Sequence, residues 1–459
     1  MTKVLTQNLY SNVKISLFPV ILCLLFFGCK PKNDQINFDI GIKKVGHIVV
    51  IYMENHSFDN LYGEFEGANG LSNVADSDIT QLDTNNVVYN YLPTKPGSSV
   101  LPTNLKNHFF NIDQYIRPDM ESPNLTHLYY QEQLQINHGY MNKFAAYNNV
   151  SFALTMGYYT TTALPLYPIA KQYTLCDNFF HSAFGGSYLN HQWLIAAATP
   201  FHNNGCDTVI AKIKNGKLIK DGSLTPDGYV VNTSYSVNSP RPPKKYYGND
   251  STQLIPYQTN PTIGDRLTAD SVSWVWYSGG WNDALGGKAD PSFQYHHQPF
   301  IYYKNYADGT QAKKDHLRDE TEFFAAAKNG KLPYVSFVKP LGTYNEHPGY
   351  STVKAGEDHA IELINAVLNG PNGKDAVIIL TYDENGGSWD HVKPPVIDSM
   401  GPGSRVPTII IGPFAKKGFV DHTQYETVSI LAFIEKRFGL KPLNSRDKNA
   451  KPLTNAFNF

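Results

Sequence analysis

The chain has 459 residues, 41% of them hydrophobic, with 39 basic against 40 acidic side chains. A length of this kind allows several domains, though one α/β unit can hold it. The formal charge of −1 and the absence of long like-charge runs exclude the basic stripe of a nucleic-acid binder, so no nucleic-acid partner is expected.

Lys3 and Lys14 precede an apolar run over residues 15–27, shorter than the ~20 residues of a spanning helix, so residues 1–28 read as a signal peptide. Gly28-Cys29-Lys30 follows at once and resembles a bacterial lipoprotein signal. In that reading Cys29 is the lipidated first residue of an exported protein, held on the outer membrane facing the periplasm or at the cell surface. An ordinary secretory signal with an incidental Cys29 is the alternative. Residues 29–42 read as a tether. Cys23 leaves with the signal, and Cys176 and Cys206 remain as either a disulfide or two buried thiols.

Apolar runs that suit buried strands recur at residues 47–53, 273–277, 334–338, 376–382 and 407–411. Helical patterns cover 163–173, 356–368 with acids in its first turn, and 427–438 with Lys436 and Arg437 in its last turn and Gly439 beyond. Strands alternating with helices predict an α/β fold with a mostly parallel central sheet over residues 43–445, followed by a tail at 446–459. Inside it, Asn215-Gly216 signals a hairpin, and Pro-rich loops extend this insertion over roughly 205–260. The 30 Tyr are spread along the chain and read as half-buried scaffold residues.

Two strand patterns end abruptly in polar groups. HIVVIYM runs into Glu54-Asn55-His56-Ser57-Phe58-Asp59, and AVIILTY runs into Asp383-Glu384-Asn385-Gly386-Gly387 with Asp390-His391 beyond. Open α/β sheets bind ligands past the carboxyl ends of their strands, and carboxylates buried there require a cation. Glu54, Asn55, Asp383 and Glu384 offer only oxygen, which suits a hard divalent ion. In Phe184-Gly185-Gly186-Ser187-Tyr188-Leu189-Asn190-His191, Ser187 is a candidate nucleophile flanked by backbone amides, although the G-x-S-x-G spacing is missing and such a stretch alone is a plain turn. His127, His296, His297, His347 and His391 each read as structural in isolation, yet an imidazole beside a metal can bind phosphate or protonate a leaving group.

Together these segments resemble the phosphoesterase family that contains bacterial phospholipases C and the acid phosphatase A enzymes. The resemblance rests on residues 54–59 against E-N-[RH]-S-F-D, 157–160 against G-Y-Y-T, 176–180 against C-D-N-[FY]-F and 186–190 at the nucleophile segment. It continues with 381–395 against T-Y-D-E-N-G-G…D-H-V-x-P-P, 405–407 against R-V-P and 437–440 against R-F-G-L. It implies an alkaline phosphatase-like three-layer α/β/α sandwich with a metal at the strand ends. Glu54, Asn55, Asp383 and Glu384 would hold one divalent ion (Ca, Mg, Mn, Zn or Fe), with Ser187 as a further ligand and the nucleophile. His127 aligns with the histidine of a D-L-D-H motif whose acids are absent here. With His297 and His347 it would bind phosphoryl oxygens or serve as the acid, while Asn190, His296 and His391 would bind substrate.

Ser187 and His191 stand where phospholipase members usually carry Thr and Arg, and the phrases at 295–300, 339–342 and 345–350 resemble the acid phosphatase branch. The resemblance therefore implies hydrolysis of phosphate monoesters through a phosphoserine. One alternative is a phospholipase C acting on headgroup phosphodiesters, and another is a non-catalytic surface-binding lipoprotein. The expected partners are phosphorylated small molecules or phospholipid headgroups.

Overall fold

In the computed structural model, residues 38–94, 100–248 and 253–459 are described. The signal peptide, Cys29 and most of the tether lie outside them. The strands of the central sheet are β1 (His47–Met53), β2 (Thr174–Cys176), β3 (Trp274–Ser278), β4 (Leu317–Asp319), β5 (Val335–Lys339), β6 (Ala376–Tyr382), β7 (Thr408–Ile411) and β8 (Phe419–Asp421). Their spatial order is β4-β3-β5-β1-β6-β7-β2-β8. Every neighbouring pair is parallel except those of β7, which runs antiparallel to β6 and β2. In β1 and β6 nearly every residue is buried. Strands without polar alternation are those covered on both faces.

The helices used below are α1 (Tyr129–Ile136), α2 (Ser187–Ala196), α3 (Ile263–Ala269), α4 (Glu320–Lys328), α5 (Val353–Leu368) and α6 (Thr427–Phe438). Alternate residues of β3 show which helices take which face. Trp274 donates its indole N–H to Thr268 on α3 (2.9 Å) and Trp276 lies beside His191 of α2, with ring centroids 6.1 Å apart. Tyr277 points the other way, against Phe323 of α4 at 5.4 Å. Helix α6 packs on α2, and α5 packs on α4. The result is the expected three-layer α/β/α arrangement.

Some boundaries differ from the sequence reading. Helix α5 begins at Val353 because the Thr352 hydroxyl accepts from the Ala355 amide (3.0 Å), so Glu357 and Asp358 fall beyond the first turn. Pattern reading misses α2 because all ten of its residues are buried and it has no polar face. The hairpin forms as expected between Lys212–Lys214 and Lys217–Lys220, with Asn215 at φ 52° and Gly216 at φ 72°. Cys176 and Cys206 are free thiols, the first buried and the second half-buried, so they form neither the disulfide nor two buried thiols. Phe38 and Ile42, at the end of the segment read as a tether, are buried, and the Phe38 ring packs tilted against Phe457 and edge-on to Phe459, with centroids 6.3 and 5.5 Å away. Both described ends of the chain thus close on one aromatic cluster. No helix among the described residues is long and apolar enough to cross a membrane.

The core should be least tolerant where β6 lies between β1 and β7. Ile379 pairs with Val50 and Ile410 and is fully buried. Ile379→Ala should cost about 2–5 kcal/mol in chemical denaturation, whereas Ile219→Thr on the exposed hairpin should cost under about 0.5 kcal/mol. Equal costs would contradict this packing.

Candidate active site and metal centre

Because β1, β5 and β6 are parallel neighbours, their carboxyl ends open at one edge of the sheet. They deliver Glu54-Asn55, Lys339 and Asp383-Glu384 there, all fully buried. The first and last of these exits interlock. Asn55 sits at φ 70°, and Gly386, at φ 62°, passes so close that a Cβ on it would lie 2.1 Å from the Asn55 carbonyl. Only glycine fits that crossing. Ser57 ties the same two loops, its hydroxyl donating to the Trp389 carbonyl (2.7 Å) while accepting from the Asn60 amide (3.2 Å).

Ser187 enters from the first turn of α2. Its hydroxyl lies 3.4 Å from Asn55 Oδ1 and 3.5 Å from Glu384 Oε1. His127 Nε2 is 3.5 Å from Asn55 Nδ2 and 3.7 Å from Glu384 Oε1. On the other side, Glu54 Oε1 faces Lys339 Nζ at 2.7 Å and His297 Nε2 at 2.5 Å, and Glu54 Oε2 faces His347 Nε2 at 3.8 Å. His191 and His297 stack with ring centroids 5.1 Å apart, and His296 lies 4.6 Å from His297.

Charge is unevenly compensated across this cluster. Burial pushes the Glu54 carboxyl up, but His297 and Lys339 outweigh it and hold the group well below its usual range. Asp383 and Glu384 are less well matched: Lys339 lowers Asp383 only in part, and the nearest imidazoles lie 3.8 Å (His191 to Asp383) and 3.7 Å (His127 to Glu384) away. Burial and then Glu54 push Asp383 up to about 7, and burial with Asp383 raises Glu384 further above its ordinary value. Asp383 Oδ2 and Glu54 Oε2 lack any aligned hydrogen bond, whereas Glu54 Oε1 is held by Lys339 and His297. Orphaned buried carboxylate oxygens beside an amide and a hydroxyl are the donor set a hard cation requires, so the residues fit a metal.

Three histidines share a further feature. Nδ1 of His127 faces Leu125 O (2.7 Å), Nδ1 of His191 faces Ser187 O (2.7 Å) and Nδ1 of His347 faces Pro348 O (2.6 Å). A carbonyl only accepts, so each Nδ1 carries the proton and each neutral ring turns a bare Nε2 into the cluster. Burial pushes all three imidazoles down, His347 to about 3.

Two expected substrate-binding residues lie elsewhere. Asn190 is fully committed to the loop before Ser187: its Nδ2 donates to Ala183 O (3.0 Å) and Gly185 O (3.1 Å), and its Oδ1 accepts from Ala183 N (3.1 Å). His391 binds Asp59 Oδ2 (2.6 Å) in a separate network centred on the buried Arg405. Arg405 donates to Asp390 Oδ1 (2.8 Å), Asp59 Oδ1 (3.0 Å), Asn69 O (2.8 Å) and Asp177 O (2.7 Å). By spacing, Glu54, His191 and His297 could hold a metal within the cluster, and so could Asp59, Asp390 and His391, but Arg405 and His391 together already offset the two carboxylates of the second group. The sequence reading missed Lys339, although a charged residue closing the apolar run VSFVK follows the pattern that exposed Glu54 and Asp383.

The incompletely compensated Asp383 makes a pH prediction. Its folded pKa exceeds the ordinary 3.8, so the metal-free fold binds the proton more tightly than the unfolded chain. Its stabilising share is full below the unfolded value and is lost as pH rises toward about 7. Metal-stripped Asp383→Asn should therefore melt above the metal-stripped wild type at neutral pH, and saturating divalent cation should reverse the order. Identical melting profiles would contradict the assignment.

Residues 45–441 match the model of the phosphoesterase family. Similar proteins include a non-hemolytic phospholipase C of Burkholderia pseudomallei, 24% identical over 91% of this chain and 59% of that protein. Phospholipase C B of Mycobacterium tuberculosis is 27% identical over 67% of this chain and 57% of that protein, and phospholipase C A of the same organism is 25% identical over 90% and 77%. The chain thus spans less than two thirds of the length of the first two relatives. Among solved structures, a protein of the alkaline phosphatase superfamily from Vibrio parahaemolyticus is 10% identical over 72% of this chain and 75% of that one, with a TM-score of 0.34, too distant to carry an argument. With the family model matched over most of its length, the chain belongs to the phosphoesterase family.

Proposed function

We propose that this chain hydrolyses phosphoric esters, with Ser187 as the nucleophile and phosphate monoesters as the substrates. The observation that carries the reading is the position of the Ser187 hydroxyl, at the start of a ten-residue helix and within 3.5 Å of both Asn55 Oδ1 and Glu384 Oε1. A helix start presents unpaired N–H groups and a positive dipole end to an anion. Lys339 and the imidazoles of His127, His297 and His347, which become donors once an anion draws a proton onto them, suit the double charge of a monoester.

A divalent ion held by Asn55, Ser187, Asp383, Glu384 and Glu54 would acidify the hydroxyl and offset charge on the phosphoryl oxygens. Ser187 Oγ forms the new bond to phosphorus as the bond to the leaving oxygen breaks in line, and its proton passes to the carboxylate cluster of Asp383 and Glu384. His127 and His347 are neutral until an anion arrives. A phosphate dianion raises their pKa and draws a proton onto Nε2, which the departing alkoxide then takes. Water cleaves the phosphoserine, releasing phosphate and restoring the hydroxyl. Lys339 keeps Glu54 ionised throughout.

The names of the relatives favour a second reading, a phospholipase C acting on phosphodiester headgroups. Parallel assays with p-nitrophenyl phosphate and phosphatidylcholine separate the two, and the proposal expects faster turnover of the monoester. Ser187→Ala should lose at least about 10³-fold in kcat while keeping its melting temperature. Near wild-type turnover by that variant would refute the nucleophile assignment.

A further inference from the structure

The loop that carries Ser187 is held by groups the reaction scheme does not use. Gly185 adopts φ 85°, and a Cβ there would lie 2.5 Å from the Tyr129 amide. Its own N–H donates to Glu132 Oε2 at 2.6 Å. Glu132 projects from α1 and is fully buried. Its other oxygen meets His181 Nε2 (2.9 Å), Ser404 N (3.0 Å) and Ser404 Oγ (3.1 Å). A carboxylate ringed by donors has no place for a proton, and a buried one needs a cation.

His181 supplies it. The three cluster histidines have an acceptor at Nδ1 and a bare Nε2, but His181 has acceptors at both nitrogens: Ala183 O is 2.7 Å from Nδ1 and Glu132 Oε1 is 2.9 Å from Nε2. Two acceptors require two N–H groups, which makes the ring an imidazolium. Burial alone would lower the pKa of His181, and the Glu132 carboxylate outweighs burial and raises it. The pair thus grips the loop at two points, the Ala183 carbonyl and the Gly185 amide, which flank Phe184 just before Ser187. Gly403 leaves the room for it, since a Cβ there would come within 2.1 Å of the His181 ring and 2.6 Å of Glu132 Oε1.

We propose that Glu132 and His181 form a buried ion pair that acts as a positioning device for Ser187, fixing the 183–187 loop so that the hydroxyl meets the metal cradle. This rests on the reading of Ser187 as nucleophile. Neither residue touches the reacting atoms, so the loss on breaking the pair should fall on turnover and spare binding.

Three readouts on full-length purified protein test the pair in wild type and Glu132→Gln. Nitrogen-15 NMR of the histidines should show His181 with both ring nitrogens protonated at pH 8 in the wild type and one in the variant. Amide exchange at Gly185 should be slow in the wild type and faster in the variant. With p-nitrophenyl phosphate, kcat should fall roughly 10- to 100-fold with KM and metal content little changed. A neutral wild-type His181, unchanged Gly185 exchange or an unchanged kcat would each overturn the proposal. If the wild type turns over no phosphate ester, the hydrolase reading fails by itself, and the NMR and exchange results still decide whether the pair holds the loop. Should Glu132→Gln not fold, Gly403→Ala keeps both charges and wedges them apart, with the same kcat loss expected and wild-type turnover again contradictory.

Discussion

The fold buries Asp383 and Glu384 side by side with Glu54, and this crowding of carboxylates governs the arrangement around it. Asp383 and Glu384 leave the end of a fully buried strand into a space where the fixed positive side chain of Lys339 is turned toward Glu54. Burying charge in that way is costly unless something neutralises it. The asymmetry sorts the ligands into two halves. Glu54 and Lys339 form a compensated pair whose Oε2 remains available, and Asp383, Glu384, Asn55 and Ser187 gather oxygen atoms into the cradle proposed to hold a divalent ion.

The rest of the fold keeps those halves in register. Parallel pairing of β5, β1 and β6 brings three strand exits to one edge, and the close crossing of Gly386 over Asn55 locks two of them together. Behind them, Arg405 draws Asp59, Asp390, Asn69 and Asp177 into one buried network. That network uses three conspicuous acid and imidazole groups of the exit loops for support, leaving the cradle with its own. The loop before Ser187 is secured separately, by Asn190 from within and by Glu132 and His181 from outside.

The parts of this arrangement visible in the sequence are those where patterning changes abruptly. An apolar strand breaking into Glu54-Asn55 or Asp383-Glu384 is a strong local signal, and the family motifs order those segments along the chain. Other parts depend on partners far away in sequence. His391 and His297 look alike as isolated histidines, and only the fold sends one to Asp59 and the other to Glu54. Asn190 sits close to Ser187 in sequence but spends both ends of its amide on backbone. Helix α2 hides because burial all round removes its amphipathic stripe, and β2, β4 and β8, at three residues each, are too short to show a period. Glu132 and His181 carry no motif, since a pair formed between a helix and a distant loop leaves no spacing to read.

The most direct test of the cradle is anomalous diffraction from crystals of the full chain grown with manganese. A peak bounded by Asn55, Ser187, Asp383 and Glu384 is the result this account predicts. A peak among Asp59, Asp390 and His391, one between His191 and His297 away from Asp383, or no peak at saturating metal would contradict it.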